Sequence, residues 1–381
     1  MGFGVIDQGY QGITTILCLI PGNPALKPDV FIMDSLSQIA LGAAVSVAVM
    51  GRRTAGWKAA LWGAVAGMLP DLDVLIDHGD AIRNMVLHRA ETHALFWLTL
   101  FSLPFSAGVA WLLREQALWR RWALAMWLAL VTHPLLDAMT VYGTQLALPF
   151  SNFPYGVGSV FIIDLLYTLP LLIGVGWALA SRGSGHGERR GLTANSVGLA
   201  VSSAYLAWGV AAQQHVSQIA NASLAAQGIR AEGLLITPTA FNTVLWRVVA
   251  VAGDAYHEGF YSLLDTTPQV AFDAYPRGNA LAAELSGVEG VQRLKGFTKG
   301  FFALRDDAGR VLISDLRMGQ EPDYIFTFAV AEKRSAAVPL VVPEQLGQRG
   351  DLKCSLSWLS QRIMGMAVPP PVKFCGNSAP L

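Results

Sequence analysis

The chain has 381 residues, room for two domains, and its 27 Lys and Arg balance 27 Asp and Glu. Hydrophobic residues make up 53% and charged ones only 14%, well under the roughly 25% charged of a soluble globular protein. Neutral balance without a basic stripe excludes a nucleic-acid scaffold, and three cysteines in no CxxC or Cys/His spacing exclude a thiolate metal site.

Residues 1–32 contain an apolar stretch, Gly12 to Ile20, too short to span a bilayer and without the basic start of a secretory signal. Met33-Asp34-Ser35-Leu36 reads as a second start, so 1–32 is an N-terminal extension with no assigned function. Ser35–Gly51 is an uncharged run, expected span one, followed by Arg52, Arg53 and Lys58. Ala59 through Ile76 reads as span two and carries Asp71 and Asp73 at its far end. Asp77–Glu91 is a polar connection, and Ala94–Leu113 reads as span three. Arg114, Glu115, Arg120 and Arg121 make the next turn, and Trp122–Tyr142, interrupted by His133 and Asp137, is span four. A loop rich in Gly, Pro, Ser and Asn runs from Gly143 to Gly158; span five follows to about Ala180, with Asp164 in its first turns. Arg182–Arg190 is basic, and Leu192–Gln214 is span six.

The expected fold is therefore an α-helical membrane domain of about six spans, residues 33–215, followed by a smaller soluble mainly-β or α+β domain, 216–381. Basic residues gather in alternate loops, and the positive-inside rule puts those loops in the cytoplasm of an inner membrane. The PDLD end of span two, the His88–His93 segment, the 143–158 loop and the C-terminal domain then share the outer, periplasmic face. Beyond Ser217, short strands are expected at Leu234–Thr237, Val244–Val251, Gln269–Phe272, Phe297–Leu304, Val311–Ser314 and Ile325–Val330, with a hairpin turn at Asp306-Asp307-Ala308-Gly309. Cys354 and Cys375 bridge if that domain lies outside the cytoplasm, and otherwise are two thiols.

The chemistry concentrates in Asp71, Asp73, His88, His93, His133 and Asp137. Each sits in or beside an apolar run, where an ionisable group costs several kcal/mol unless it is paired or bound. Imidazole and carboxylate are ligands of zinc, manganese and iron(II), so the six are candidate ligands of a divalent ion, zinc first. His133 and Asp137 are four apart on one helix and share a face. The plain alternative is a set of polar pairs that hold helices together. Arg89 is a candidate anion clamp or a counter-charge to Asp71, Asp73 or Glu91, and Glu91 a candidate general base or a solvated carboxylate. Thr92, Thr140 and Tyr142 are candidates to orient ligands. Asp164 is a further ligand or a structural acid, and Gln38 a neutral donor to the same place. His78, His186, His215 and His257 have no acidic companions at useful spacing.

The run Met33 to Gly42, PDLD at 70–73, HRxxTH at 88–93, THPLLDAMTxYGTQ from Thr132 to Gln145 and Phe161-Ile162-Ile163-Asp164 together resemble the YdjM-like family of bacterial inner-membrane proteins. The likeness covers about residues 33–180 and extends to Phe241-Asn242-Thr243, Tyr261–Asp265 and Ile313–Gly319. Members are labelled membrane-bound metal-dependent hydrolases, so the resemblance implies a metal and hydrolysis carried by the six residues above. Many relatives have HRGxTHS where this chain has Ala90 and Ala94, and some have His where Gln38 stands. The expectation is an inner-membrane hydrolase acting in the bilayer on an ester or phosphoester of a lipid or lipid-linked substrate. The alternatives are a non-catalytic structural or envelope-stress protein, and a metal or proton transporter.

Overall fold

The computed structural model describes residues 28–181, 185–333, 337–346 and 351–376. The extension expected at 1–32 lies almost wholly outside the described residues. Helix α1 spans Pro28–Met50 and α2 Gly56–Met68; a 3-10 turn at Pro70–Leu75 leads to the short helix α3, Ala81–Leu87. A second 3-10 turn, Glu91–His93, feeds α4, Leu95–Leu112; a third, Gln116–Leu118, runs into α5, Trp119–Met139. Helices α6, Leu165–Ala180, and α7, Gly185–Ala226, complete the helical region.

The six-span membrane domain is overturned. Among the described residues only two helical segments, Leu95–Leu112 and Gln116–Met139, are long and apolar enough to cross a bilayer. Ser35–Met50 and Leu165–Ala180 are apolar but shorter, and 16 residues of helix reach about 24 Å against a hydrocarbon core of roughly 30 Å. Helix α2 has 13 residues and stops at the Pro70 turn. The run read as span six is the middle of a 42-residue helix, diluted by Ser, Asn, Gln and His. Much of the apolar composition is used for helix-on-helix packing. On Gly42, Gly63 and Gly67 a Cβ would run into facing backbone, so α1 and α2 lie in direct main-chain contact.

One core gathers Ala43, Val47 and Met50 of α1 with Ala59 and Ala66 of α2, Leu98 of α4 and Trp122, Met126 and Leu130 of α5. The N-terminal half of α7 packs along α6 through Gly174, Gly191 and Gly198. Its other half carries Ala212, Val216, Ile219 and Ala220 under a sheet, against Trp246, Val248 and Tyr261.

That sheet is an antiparallel meander of β1 Gly233–Pro238, β2 Leu245–Ala252, β3 Ala255–Ser262 and β4 Phe272–Pro276. Helices α8, Asn279–Glu284, and α9, Glu289–Phe297, lead to a second antiparallel sheet. Its order is β10-β9-β6-β5, from β5 Phe302–Asp307, β6 Arg310–Asp315, β9 Thr327–Lys333 and β10 Ala337–Gln345; β7 Gly319–Gln320 and β8 Asp323–Tyr324 form a small ladder beside it. The β5–β6 hairpin turns on Ala308 and Gly309, both at positive φ, as a two-residue primed turn requires. The sequence reading missed β3 and β10, and it gave to a strand at 297–304 the end of α9. Buried Arg247 joins the sheets: Nε donates to Glu258 and Nη1 to the Leu316 carbonyl at 2.7 Å. Helix α10, Leu352–Ile363, follows an Asp351 cap, and Cys354 and Cys375 are disulfide-bonded around the short helix α11, Pro371–Phe374.

The helical and β regions share a core. Ile82, Met85 and Val86 of α3, with Tyr142 after α5, pack against Leu294, Phe297, Phe302, Ile313 and Phe328. This contact holds the His88–His93 segment against the end of α5.

Candidate metal centre

Four buried side chains meet where the 3-10 turns close on α5. Asp71 projects from the Pro70 turn, His93 from the last position of the Glu91 turn, and His133 and Asp137 from one face of α5. His133 Nε2 lies 3.1 Å from His93 Nε2 and 3.3 Å from Asp71 Oδ1 and Asp137 Oδ2. His93 Nε2 lies 3.4 Å from Asp71 Oδ1 and 3.3 Å from Asp137 Oδ2. One donor atom from each of the four falls within 4.8 Å of the others, and the group could hold a metal ion.

Hydrogen bonding behind the rings decides which nitrogens face inward. His133 Nδ1 is 2.6 Å from the Gly67 carbonyl, which only accepts, so Nδ1 carries a proton. Thr92 Oγ1 donates to Asp73 Oδ2 at 2.7 Å, so the same oxygen accepts from His93 Nδ1 at 2.9 Å. In their neutral form both imidazoles would present bare Nε2 lone pairs to each other and to two carboxylates. Such nitrogens repel unless a proton or cation lies among them. Asp137 Oδ2, wholly buried, accepts no hydrogen bond, and a buried carboxylate oxygen without a donor is costly.

The charge count runs the same way. Asp71, Asp73 and Asp137 bring three negative charges, and Arg89 is the buried cation among them. Burial alone would raise the Asp71 carboxyl, but the His133 and His93 imidazoles outweigh it and hold it well below the usual carboxylate range. Burial likewise opposes charge on His93, yet the carboxylates of Asp137 and Asp71 raise it above the ordinary value. The pocket stabilises positive charge strongly. An orphan carboxylate oxygen, two inward lone pairs and surplus negative charge fit a divalent cation.

Of the six residues singled out by sequence, Asp73 and His88 stand one layer back. Asp73 accepts from His88 Nδ1 at 2.8 Å, from Arg89 N at 3.0 Å and from Thr92, so it orients His93 through Thr92. His88 is partly exposed, with its ring 5.9 Å from that of His93. Arg89 does not face open space. Its guanidinium reaches Asp137 Oδ1 at 3.3 Å and stacks over Tyr142 at 5.0 Å. A left-handed backbone at Arg89 (φ 66°) allows this while its carbonyl accepts from Gln145 N at 3.0 Å. The geometry is that of a counter-charge to Asp137, and Glu91 is exposed.

Gln38 reaches the same place, with Nε2 donating to Asp137 Oδ1 at 2.9 Å. Thr140 donates to the Asp137 carbonyl at 2.7 Å, and Tyr142 donates to the Met85 carbonyl at 2.6 Å. Asp164 caps α6 through Leu166 N and accepts from Tyr205 at 2.8 Å. It also lines a cavity of about 10 Å³, one water in size, together with Asp137, Ser37 and Thr140. Burial raises the Asp164 carboxyl despite these bonds. The Gly67 carbonyl was missed; the signal available was its place one turn before Pro70, where helix α2 ends.

Thr92→Val keeps the volume and deletes the link from Asp73 to His93. A hydrogen-bonding partner of a metal ligand is worth about 10–100-fold in metal affinity. A loss in that range in competition with a chelator is expected; unchanged affinity would reduce Thr92 to a space-filler.

Residues 33–216 match the family model described as YdjM inner membrane protein. No curated protein and no solved structure matches the chain.

Proposed function

We propose that this chain, whose residues 33–216 match the YdjM inner membrane protein family model, is a membrane-anchored zinc hydrolase whose centre is Asp71, His93, His133 and Asp137. The observation that carries this reading is the convergence of the four inward donors, all within 4.8 Å of one another. Zinc bound at about 2.0 Å by four tetrahedral donors needs them about 3.3 Å apart, and the five separations that involve an imidazole run from 3.1 to 3.4 Å. Manganese or iron(II) would favour more oxygen donors and an octahedral arrangement.

The two apolar helices support a hairpin whose tip carries Arg114, Arg120 and Arg121. Positive-inside placement of that tip leaves His93, His133 and Asp137 at the outer end of the hairpin, the periplasmic side. The Cys354–Cys375 bridge suits the same side, because disulfides persist in oxidising compartments.

A zinc ion there would supply a Lewis acid that lowers the pKa of a bound water toward neutrality and polarises the bond to be cleaved. The protein's own groups do the rest. Asp73 through Thr92, and the Gly67 carbonyl, keep the two imidazoles aimed inward. Arg89 and Gln38 hold Asp137. The water-sized cavity has room for a water beside Asp137 and Asp164, and the raised carboxyl of Asp164 would suit it to take that water's proton. The substrate is an ester or phosphoester.

A second reading is a structural zinc site, favoured by the closure of the centre by four buried protein donors; catalytic sites keep an open position. Elemental analysis of detergent-purified protein beside an Asp71→Ala/His93→Ala variant, with an ester and phosphoester screen, tests both. About one zinc, lost in the variant, with turnover that falls in Asp164→Asn at full metal content, is expected. Metal without turnover would leave the structural site, and no metal after reloading would remove both.

A further inference from the structure

A second, larger cleft lies apart from the four metal donors, none of which lines it. It measures about 570 Å³, within the range of ligand sites, and is walled by Leu87, Asn152, Phe153, Pro154, Arg293 and Phe297. Tyr142 touches both neighbourhoods, its ring 5.8 Å from that of His88 and 5.6 Å from that of Phe297.

One cation lies in the wall, and two more stand against wall residues. Arg293 is part of the lining, with one nitrogen on the exposed Glu289 and a third of its side chain open. Lys299 Nζ stands 4.5 Å over the Phe153 ring, and Arg317 stands 4.8 Å over the Phe297 ring. Asp315 neutralises Arg317, whereas no carboxylate among the described residues forms an ion pair with Lys299. Burial and the nearby Arg317 push the Lys299 ammonium below its ordinary value, the mark of a cation short of an anion. Ser151 and Asn152 add a hydroxyl and an amide.

The rim adjoins the start of a candidate span. Leu95 N, opening α4, donates to the Leu146 carbonyl at 3.0 Å, so the loop is tied to the start of a candidate span. Phe150 is 79% exposed, and its ring meets exposed Phe96 at 5.5 Å beside Trp97. Exposed aromatics at the end of a span are the pattern of the headgroup layer.

We propose that this cleft binds the phosphate-bearing headgroup of an anionic phospholipid, with Arg293 on the phosphate, Lys299 beside the Phe153 wall adding positive charge at its edge, and Phe153 and Phe297 against its glycerol and acyl root. The claim goes beyond the hydrolytic reading and does not need it, since none of the four metal donors lines the cleft.

The test is calorimetric titration of the full chain in a non-ionic detergent with dihexanoyl phosphatidylglycerol, dihexanoyl phosphatidylcholine and glycerol 3-phosphate. Saturable binding of the first is expected, at least about 10-fold tighter than the other two. Arg293→Gln/Lys299→Gln should weaken it about 10-fold or more at unchanged melting temperature and metal content. Asn152→Trp, which fills the cleft and leaves every charge, should do the same. Equal binding by either variant, equal binding of glycerol 3-phosphate, or no saturable binding by folded wild type would each overturn the proposal. The Asp71→Ala/His93→Ala variant should still bind the lipid, so that failure of the cleft and failure of the metal centre are read separately.

Discussion

His133→Ala is expected to release the metal from the purified protein while leaving it in the membrane fraction. The imidazole Nε2 is 3.1 Å from its His93 counterpart and 3.3 Å from both carboxylate oxygens, so no other side chain can take its corner. The loss of affinity should exceed the ~10–100-fold that a hydrogen-bonding partner of a ligand is worth. Elemental analysis should fall from about one ion per chain, the four-ligand stoichiometry, to near zero. Metal content equal to wild type would remove His133 from the ligand set.

Arg89→Ala is expected to destabilise the fold by about 3–5 kcal/mol, the usual result of leaving one partner of a buried ion pair alone. Asp137 is wholly buried, and without the guanidinium its Oδ1 keeps only the amide of Gln38. The Tyr142 ring also loses the cation stacked on it. Thermal unfolding in detergent should show a markedly lower midpoint, with partial recovery in Arg89→Lys, which restores charge without the planar fork. If Arg89 instead clamped a substrate anion, the alanine variant would melt like wild type and show only a raised KM.

The candidate ligands were legible because charge in an apolar run is expensive and rarely unexplained. His133 and Asp137 announced a shared face by their spacing of four. Nothing in the spacing separates Asp71, which points into the centre, from Asp73, which points behind it at Thr92 and His88. Two residues apart on a 3-10 turn, they diverge by roughly two-thirds of a turn, and only the packing against the Glu91 turn decides which faces in. Arg89 looked available because sequence adjacency to two histidines says nothing of direction. A left-handed backbone aims it at Asp137.

By itself the sequence determined that a helical, apolar region precedes a strand-rich one, that six ionisable residues at 71–137 belong together, and where the β5–β6 hairpin turns. It misjudged the number of spans because hydropathy records that a segment is buried and not what buries it. Glycine contacts between α1 and α2, and between α6 and α7, let helices whose apolar stretches fall short of a bilayer cover one another. Strand β3 escaped notice because Glu258 is paired with Arg247 inside the fold and Gly259 makes room for Val270, choices that alternation along one strand cannot reveal. Only the tertiary structure decided which four of the six side chains meet. Their convergence needs three chain segments at once: the Pro70 turn, the Glu91 turn held by α3 in the β-region's core, and the end of α5.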